Sequence, residues 1–125
     1  MKKIIYTANA PLPVGPYSQA VESSGMLFVA GQVAIDPATG KLVEGGIQEQ
    51  TDQVMKNIGA ILEAAGYGFS QVVRSTCLLA EMADFKSMNE VYAHYYPVDP
   101  PARVAYAVKQ LPMGALVEIE TTAVK

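Results

Sequence analysis

The segment Ile47–Gly66, IQEQTDQVMKNIGAILEAAG, changes the period of the chain. Ile47, Val54, Ile58, Ile61, Leu62 and Ala65 recur on one face of a helical wheel, while Gln48, Asp52, Lys56 and Glu63 fall elsewhere. The spacing predicts an amphipathic helix over 47–65, with Gly45 and Gly46 breaking the chain before it and Gly66 stopping it. A helix with one apolar stripe must bury it against a second layer, so the flanking segments are read for what they supply.

On the N-terminal side they supply strands. Ile4–Thr7 reads as a short strand, and the proline-punctuated connection Ala10–Pro16 is incompatible with a helix. A second strand begins by presenting Tyr17, and Ser23-Ser24-Gly25 forms a hairpin loop into Met26–Val33, MLFVAGQV. That strand is apolar on both faces and is expected to be central and covered on both sides. Gly31 within it marks a bulge or a close approach by another backbone or a ligand, and Asp36–Gly40 is a turn by composition.

On the C-terminal side, Gln71–Ala80 is a mostly buried strand. Asp84 is placed to cap a second helix carrying Phe85, Met88, Val91, Tyr92 and Tyr95, which Pro97 closes. Leu111–Ala115 is a loop, and in the last strand, Leu116–Val124, Glu118, Glu120 and Thr122 share one face while Val117, Ile119 and Ala123 share the other. Strands, helix, strand, helix, strands make an α+β fold: one domain over 1–125, with both helices on one face of a mainly antiparallel sheet. The other face stays uncovered unless copies of the chain cover it.

The totals narrow the partners. Of 125 residues, 50% are hydrophobic and only 17% charged, a surface poor in charge that points to an oligomer. A net charge of -3 without a Lys/Arg cluster argues against nucleic acid and against an anionic membrane. Lys2 and Lys3 precede too short an apolar run for a signal core or a spanning helix, so a soluble, cytoplasmic protein is expected. Cys77 is the single cysteine and lies in an apolar strand-like run, which reads as an inert core thiol. His94 has no second ligand at metal spacing, and no metal is expected.

The chemistry concentrates in Pro100–Lys109, PPARVAYAVK. In a strand, Arg103, Ala105 and Ala107 share one face, and Val104, Tyr106 and Val108 share the other. Small residues leave room around a guanidinium, whose planar fork grips a carboxylate through two parallel hydrogen bonds. Two readings fit: a pocket for a small acid, or a solvated charge guarding a sheet edge. If the last strand pairs with this one as a hairpin, Glu118 and Glu120 lie near the small-residue side of Arg103, either as an acid and base sharing a cleft or as a cross-strand ion pair. Tyr17 is either a phenol facing that cleft or half-buried packing.

Assembled in order, the pieces resemble the RidA (YjgF/YER057c/UK114) family of enamine/imine deaminases. They are APLPVGPYSQA (10–20), AGQVAIDPATG (30–40), QTDQVMKNIGAILEAAG (50–66), DFKSMNEVYAHYY (84–96), PPAR (100–103) and VEIETTAV (117–124). The resemblance implies a chorismate-mutase-like fold and a homotrimer whose sheets form a central barrel with the helices outside. It implies three clefts between subunits, and hydrolysis of 2-aminoacrylate or 2-iminobutyrate to the 2-keto acid and ammonia without a cofactor. By the same resemblance Arg103 clamps the substrate carboxylate, Glu118 activates the attacking water, Tyr17 lines the cleft and Gly31 lets backbone approach the ligand.

Two positions depart from the family pattern. Ala30 stands where many members carry serine, and Ala105 where many carry cysteine, although alanine keeps the backbone carbonyl that the family uses to hold the substrate nitrogen. A competing expectation from another class is a non-catalytic trimer that binds small carboxylic acids and regulates a partner. Chaperone or ribonuclease activity finds little support, because the chain has neither a basic groove nor a pair of histidines.

Overall fold

A computed structural model describes residues 1–125. The chain runs through β1 (Lys3–Ile5), β2 (Ala20–Ser23), β3 (Met26–Gln32), β4 (Ile35–Asp36), β5 (Lys41–Leu42), α1 (Ile47–Ala64), β6 (Val72–Leu79), α2 (Phe85–Tyr95), β7 (Ala102–Ala107) and β8 (Val117–Val124). Six strands form one sheet in the order β1-β2-β3-β8-β6-β7, and β4 and β5 form a small separate hairpin. All pairings in the large sheet are antiparallel except β6 with β7, which is parallel. Both long helices lie on one face, α1 packing against α2, β8 and β3, as an α+β fold requires. No helix is long and apolar enough to cross a membrane.

The predicted helix is present with its apolar stripe inward: Val54, Ile58, Ile61 and Leu62 are fully or nearly fully buried. Its first turn is held by Glu49, whose Oε1 accepts the Gly46 N–H at 2.8 Å, and Gly66 ends it in the left-handed region at φ 80°. Against the stripe lie Leu27, Val29, Cys77, Leu79, Val117, Ile119 and Ala123 from the sheet. The alternation foreseen for β8 is observed, with Val117, Ile119 and Ala123 buried and Glu118, Glu120 and Thr122 on the other side. Cys77 is buried among them, and burial pushes its thiol up to about 11 although Arg103 acts the other way, so it is a core residue.

Four expectations are corrected. Tyr17 does not open a strand: it lies in irregular chain just after a bend at 14–16, and β2 begins at Ala20. β3 is interior to the sheet but covered on one side only, leaving Met26 and Phe28 exposed within one chain. Asp84 sits at the start of α2 without its side chain capping it. Finally, β8 and β7 do not form a hairpin, because β6 lies between them.

The β2–β3 turn does fall at Ser24-Gly25, both at positive φ (53° and 75°), which matches the twist of the strands it joins. The irregular stretch before β2 is tied down by buried Gln19. Its Oε1 accepts the Thr7 N–H at 2.8 Å, and its Nε2 donates to the carbonyls of Thr7 at 2.9 Å, Ala10 at 3.3 Å and Pro11 at 2.9 Å. Leucine at this position would leave those backbone groups unpaired. Gln19→Leu is therefore expected to destabilise the fold by about 3 kcal/mol in denaturant titration and to loosen the segment carrying Tyr17. A midpoint unchanged from the parent would show that the loop holds itself.

Candidate active site

Arg103 is positioned by β7, an edge strand whose register sets it opposite Ser75 of β6 and Ala105 opposite Cys77. Partners in register share a side, so both point toward the helices. Arg103 Nη1 donates to Asn89 Oδ1 of α2 at 2.7 Å, and the guanidinium carbon lies 5.0 Å from the Tyr92 ring centroid and 5.5 Å from that of Phe85. No carboxylate pairs with it; the single ion pair of the structure is Lys56–Asp52 at 3.1 Å. A cavity of about 440 Å³ opens beside it, lined by Asn89, Tyr92, Ala93, Tyr96, Pro100, Pro101 and Arg103. Half-buried Ala105 packs against the core.

Glu118 occupies the opposite face of the sheet. It pairs in register with Leu78 and lies against Gly31, where the β3–β8 ladder shifts between Val29 and Gln32. The bulge reading of Gly31 holds, and what comes close within the chain is a side chain rather than a backbone: a methyl built there collides with Glu118 Oε2. A cavity of about 420 Å³ is lined by Val14, Tyr17, Ala30, Gly31, Val33, Ile35, Pro112, Met113 and Glu118. Tyr17, half exposed, accepts the Val14 N–H on its phenol oxygen at 3.3 Å. Burial, and then the like charge of Glu120, raise the Glu118 carboxyl above the ordinary carboxylate range.

The structure thus brings together Tyr17, Ala30, Gly31 and Glu118, and separately sets Arg103 beside Ala105. It does not unite the two sets within one chain. The shared cleft expected from a β7–β8 hairpin is corrected, since β6 intervenes and the arginine and glutamate point to opposite faces.

Sequence reading missed Asn89, and with it the apolar lining contributed by Val14, Val33, Ile35 and Met113. A signal for Asn89 existed: Phe85, Asn89, Tyr92 and Tyr96 follow at steps of four, three and four, so an amide interrupts an aromatic stripe. Met113 carried none. It adopts φ 60°, followed by Gly114 at 68°, a pair of left-handed residues that turns the 3₁₀ segment Pro112–Gly114 over the Glu118 cavity. His94 is exposed and lies in neither cavity.

Fold and site define a class: an α+β subunit displaying an uncompensated arginine on one sheet face and, on the other, a glutamate whose pKa burial raises. A family model described as Endoribonuclease L-PSP matches residues 7–125, and the chain belongs to that family, the Rid proteins. A mouse protein named 2-iminobutanoate/2-iminopropanoate deaminase is 49% identical over 125 residues, covering 100% of this chain and 93% of its own. A crystal structure from Yersinia pestis, of a protein of the conserved Rid family, superposes with a TM-score of 0.97 at 44% identity and covers 100% of both chains. The E. coli TdcF structure with bound serine gives 0.94 at 34% identity, covering 98% of each chain.

Proposed function

We propose that the chain hydrolyses reactive 2-imino acids and their enamine tautomers, such as 2-iminobutyrate and 2-aminoacrylate, to 2-keto acids and ammonia. The observation that carries this is Arg103, a half-buried cation with no protein carboxylate, fixed by neutral groups beside an open cavity. Such a fork is set for the carboxylate of a small acid. The mouse relative's activity and the serine bound to TdcF support the same chemistry.

In this reading the substrate carboxylate seats on Arg103, which orients the imine carbon toward Glu118. The Glu118 carboxylate takes a proton from water as its oxygen bonds to C2, and the imine π pair moves to nitrogen. Glu118 returns that proton to the nitrogen, giving a neutral carbinolamine, which then collapses: Glu118 relays the remaining hydroxyl proton to the amine, the oxygen pair re-forms a C=O bond, the C–N bond breaks, and ammonia leaves carrying both protons of the water. A carboxyl whose pKa is raised by burial holds the water proton more readily than an ordinary carboxylate would. The single exposed histidine and the net charge of -3 favour this reading over RNA cleavage, whatever the family's description.

The working unit is a cytoplasmic homotrimer of one-domain subunits in the chorismate-mutase-like arrangement, with the exposed sheet face carrying Met26, Phe28, Val104 and Tyr106 turned into a shared barrel. Each of three clefts takes Arg103 and the Ala105 carbonyl from one subunit, and Tyr17, Ala30, Gly31 and Glu118 from its neighbour. Light scattering is expected to give about 40 kDa for a chain of 13.3 kDa; a monomer would remove the composite cleft. The function is tested by letting a dehydratase generate the imine with semicarbazide as competitor. The protein should suppress semicarbazone formation as keto acid appears. Suppression no greater than the spontaneous rate would leave the second reading, a carboxylate-binding trimer without chemistry. Ala30 favours that reading, because it sets a methyl in the Glu118 cavity where the family resemblance implies a hydroxyl.

A further inference from the structure

We propose that Asn89 is the positioning residue for Arg103, and that its neutrality is what keeps the arginine available to an anionic substrate. The inference rests on Arg103 acting as the carboxylate clamp.

A guanidinium has five N–H donors in a rigid fork and no acceptor. Asn89 Oδ1 takes one of them, from Nη1 at 2.7 Å, and the Phe85 and Tyr92 rings, 5.5 Å and 5.0 Å from the central carbon, attract the cation without consuming a donor. The cavity bounded by Asn89, Tyr92, Tyr96 and Pro101 lies next to the donors that remain. Three contacts thus restrict a long side chain before any ligand arrives, and a ligand need not supply that ordering itself.

An acidic residue could hold the arginine at least as firmly. Aspartate has the size of asparagine and would add a charge-assisted hydrogen bond. It would also neutralise the fork and occupy donors that a substrate carboxylate needs, so a firmer structural contact would make a poorer receptor. Arg103 has no ion-pair partner in the chain, and the groups that hold it, an amide and two rings, are all uncharged. Phe85, Asn89 and Tyr92 lie within two turns of α2, so one helix supplies the whole support.

This predicts an order of effects that packing alone would not give. In calorimetry with 2-ketobutyrate, the stable product, Asn89→Ala should weaken binding about 10-fold through lost orientation. Asn89→Asp, though nearly isosteric, should weaken it about 30-fold or more. In the coupled assay both losses should fall on KM, with kcat within about twofold of the parent. Thermal melting of Asn89→Asp should equal or exceed that of Asn89→Ala, separating loss of binding from loss of fold. The proposal is overturned if Asn89→Asp binds as tightly as the parent or better than Asn89→Ala, or if the losses fall on kcat alone. Arg103→Ala runs alongside. If it binds 2-ketobutyrate like the parent, the clamp reading itself fails; if it abolishes binding while both Asn89 variants bind normally, the role of Asn89 alone is wrong.

Discussion

Arg103→Ala is expected to lower kcat/KM for 2-iminobutyrate by about a hundred- to a thousand-fold, the range that follows when one partner of a desolvated, hydrogen-bonded charge pair is removed. The substrate is small, and its carboxylate is the one charged group it carries through the reaction unchanged, so most of its binding and orientation passes through this contact. Arg103→Lys should fall between the two. Lysine keeps the charge but loses the planar fork, the Asn89 hydrogen bond and the fit over the Tyr92 and Phe85 rings. Neither variant should unfold the protein, because Arg103 is half-buried at an edge strand without an ion-pair partner. Semicarbazide competition reads the loss directly. A variant that protects the imine as well as the parent would remove Arg103 from the chemistry.

Why the sequence led Arg103 and Glu118 to one imagined cleft is instructive. Local periodicity placed each side chain on the correct face of its own strand, and it also gave α1 and the buried character of Cys77. What periodicity could not supply is how the faces of separate strands relate, since that depends on pairing order. The missing information was nonetheless present as connectivity. A strand at 71–80, a helix from Phe85 and a strand around Arg103 form a strand–helix–strand unit, and such a crossover joins parallel neighbours. Taken that way, β7 belongs beside β6, on the edge, with its helix-side residues turned toward α2. The hairpin with β8 is then excluded, and the split site follows. Asn89 was hidden for a different reason: a polar residue on an amphipathic helix is ordinarily solvent-facing, and only the arginine arriving from β7 turns it inward.

Glu118→Gln is expected to lower kcat by about a hundred- to ten-thousand-fold while leaving 2-ketobutyrate affinity nearly intact, since an amide keeps the shape but cannot accept the water proton. The same change should stabilise the fold. Burial and Glu120 hold the Glu118 carboxyl above its ordinary range, so the folded chain retains a proton that the unfolded chain releases. Stability contributed at this position therefore declines as pH rises from the ordinary carboxylate range through the raised value, and the cost is fully present above that value. Glutamine carries no such cost. Its melting temperature should exceed the parent's at neutral pH, and the two should converge in acid below the ordinary range; a variant less stable than the parent at neutrality would refute the strain assigned to Glu118. Mixing carries the argument to the assembly. In trimers formed from equal amounts of Arg103→Ala and Glu118→Gln chains, about one interface in four joins an intact Arg103 to a neighbour's intact Glu118, so about a quarter of parental activity should return from two nearly inactive proteins. Were both residues of a cleft drawn from one chain, every cleft would hold a defect and no activity would return. Opposite sheet faces in one chain, with β6 between them, are the reason to expect the recovery.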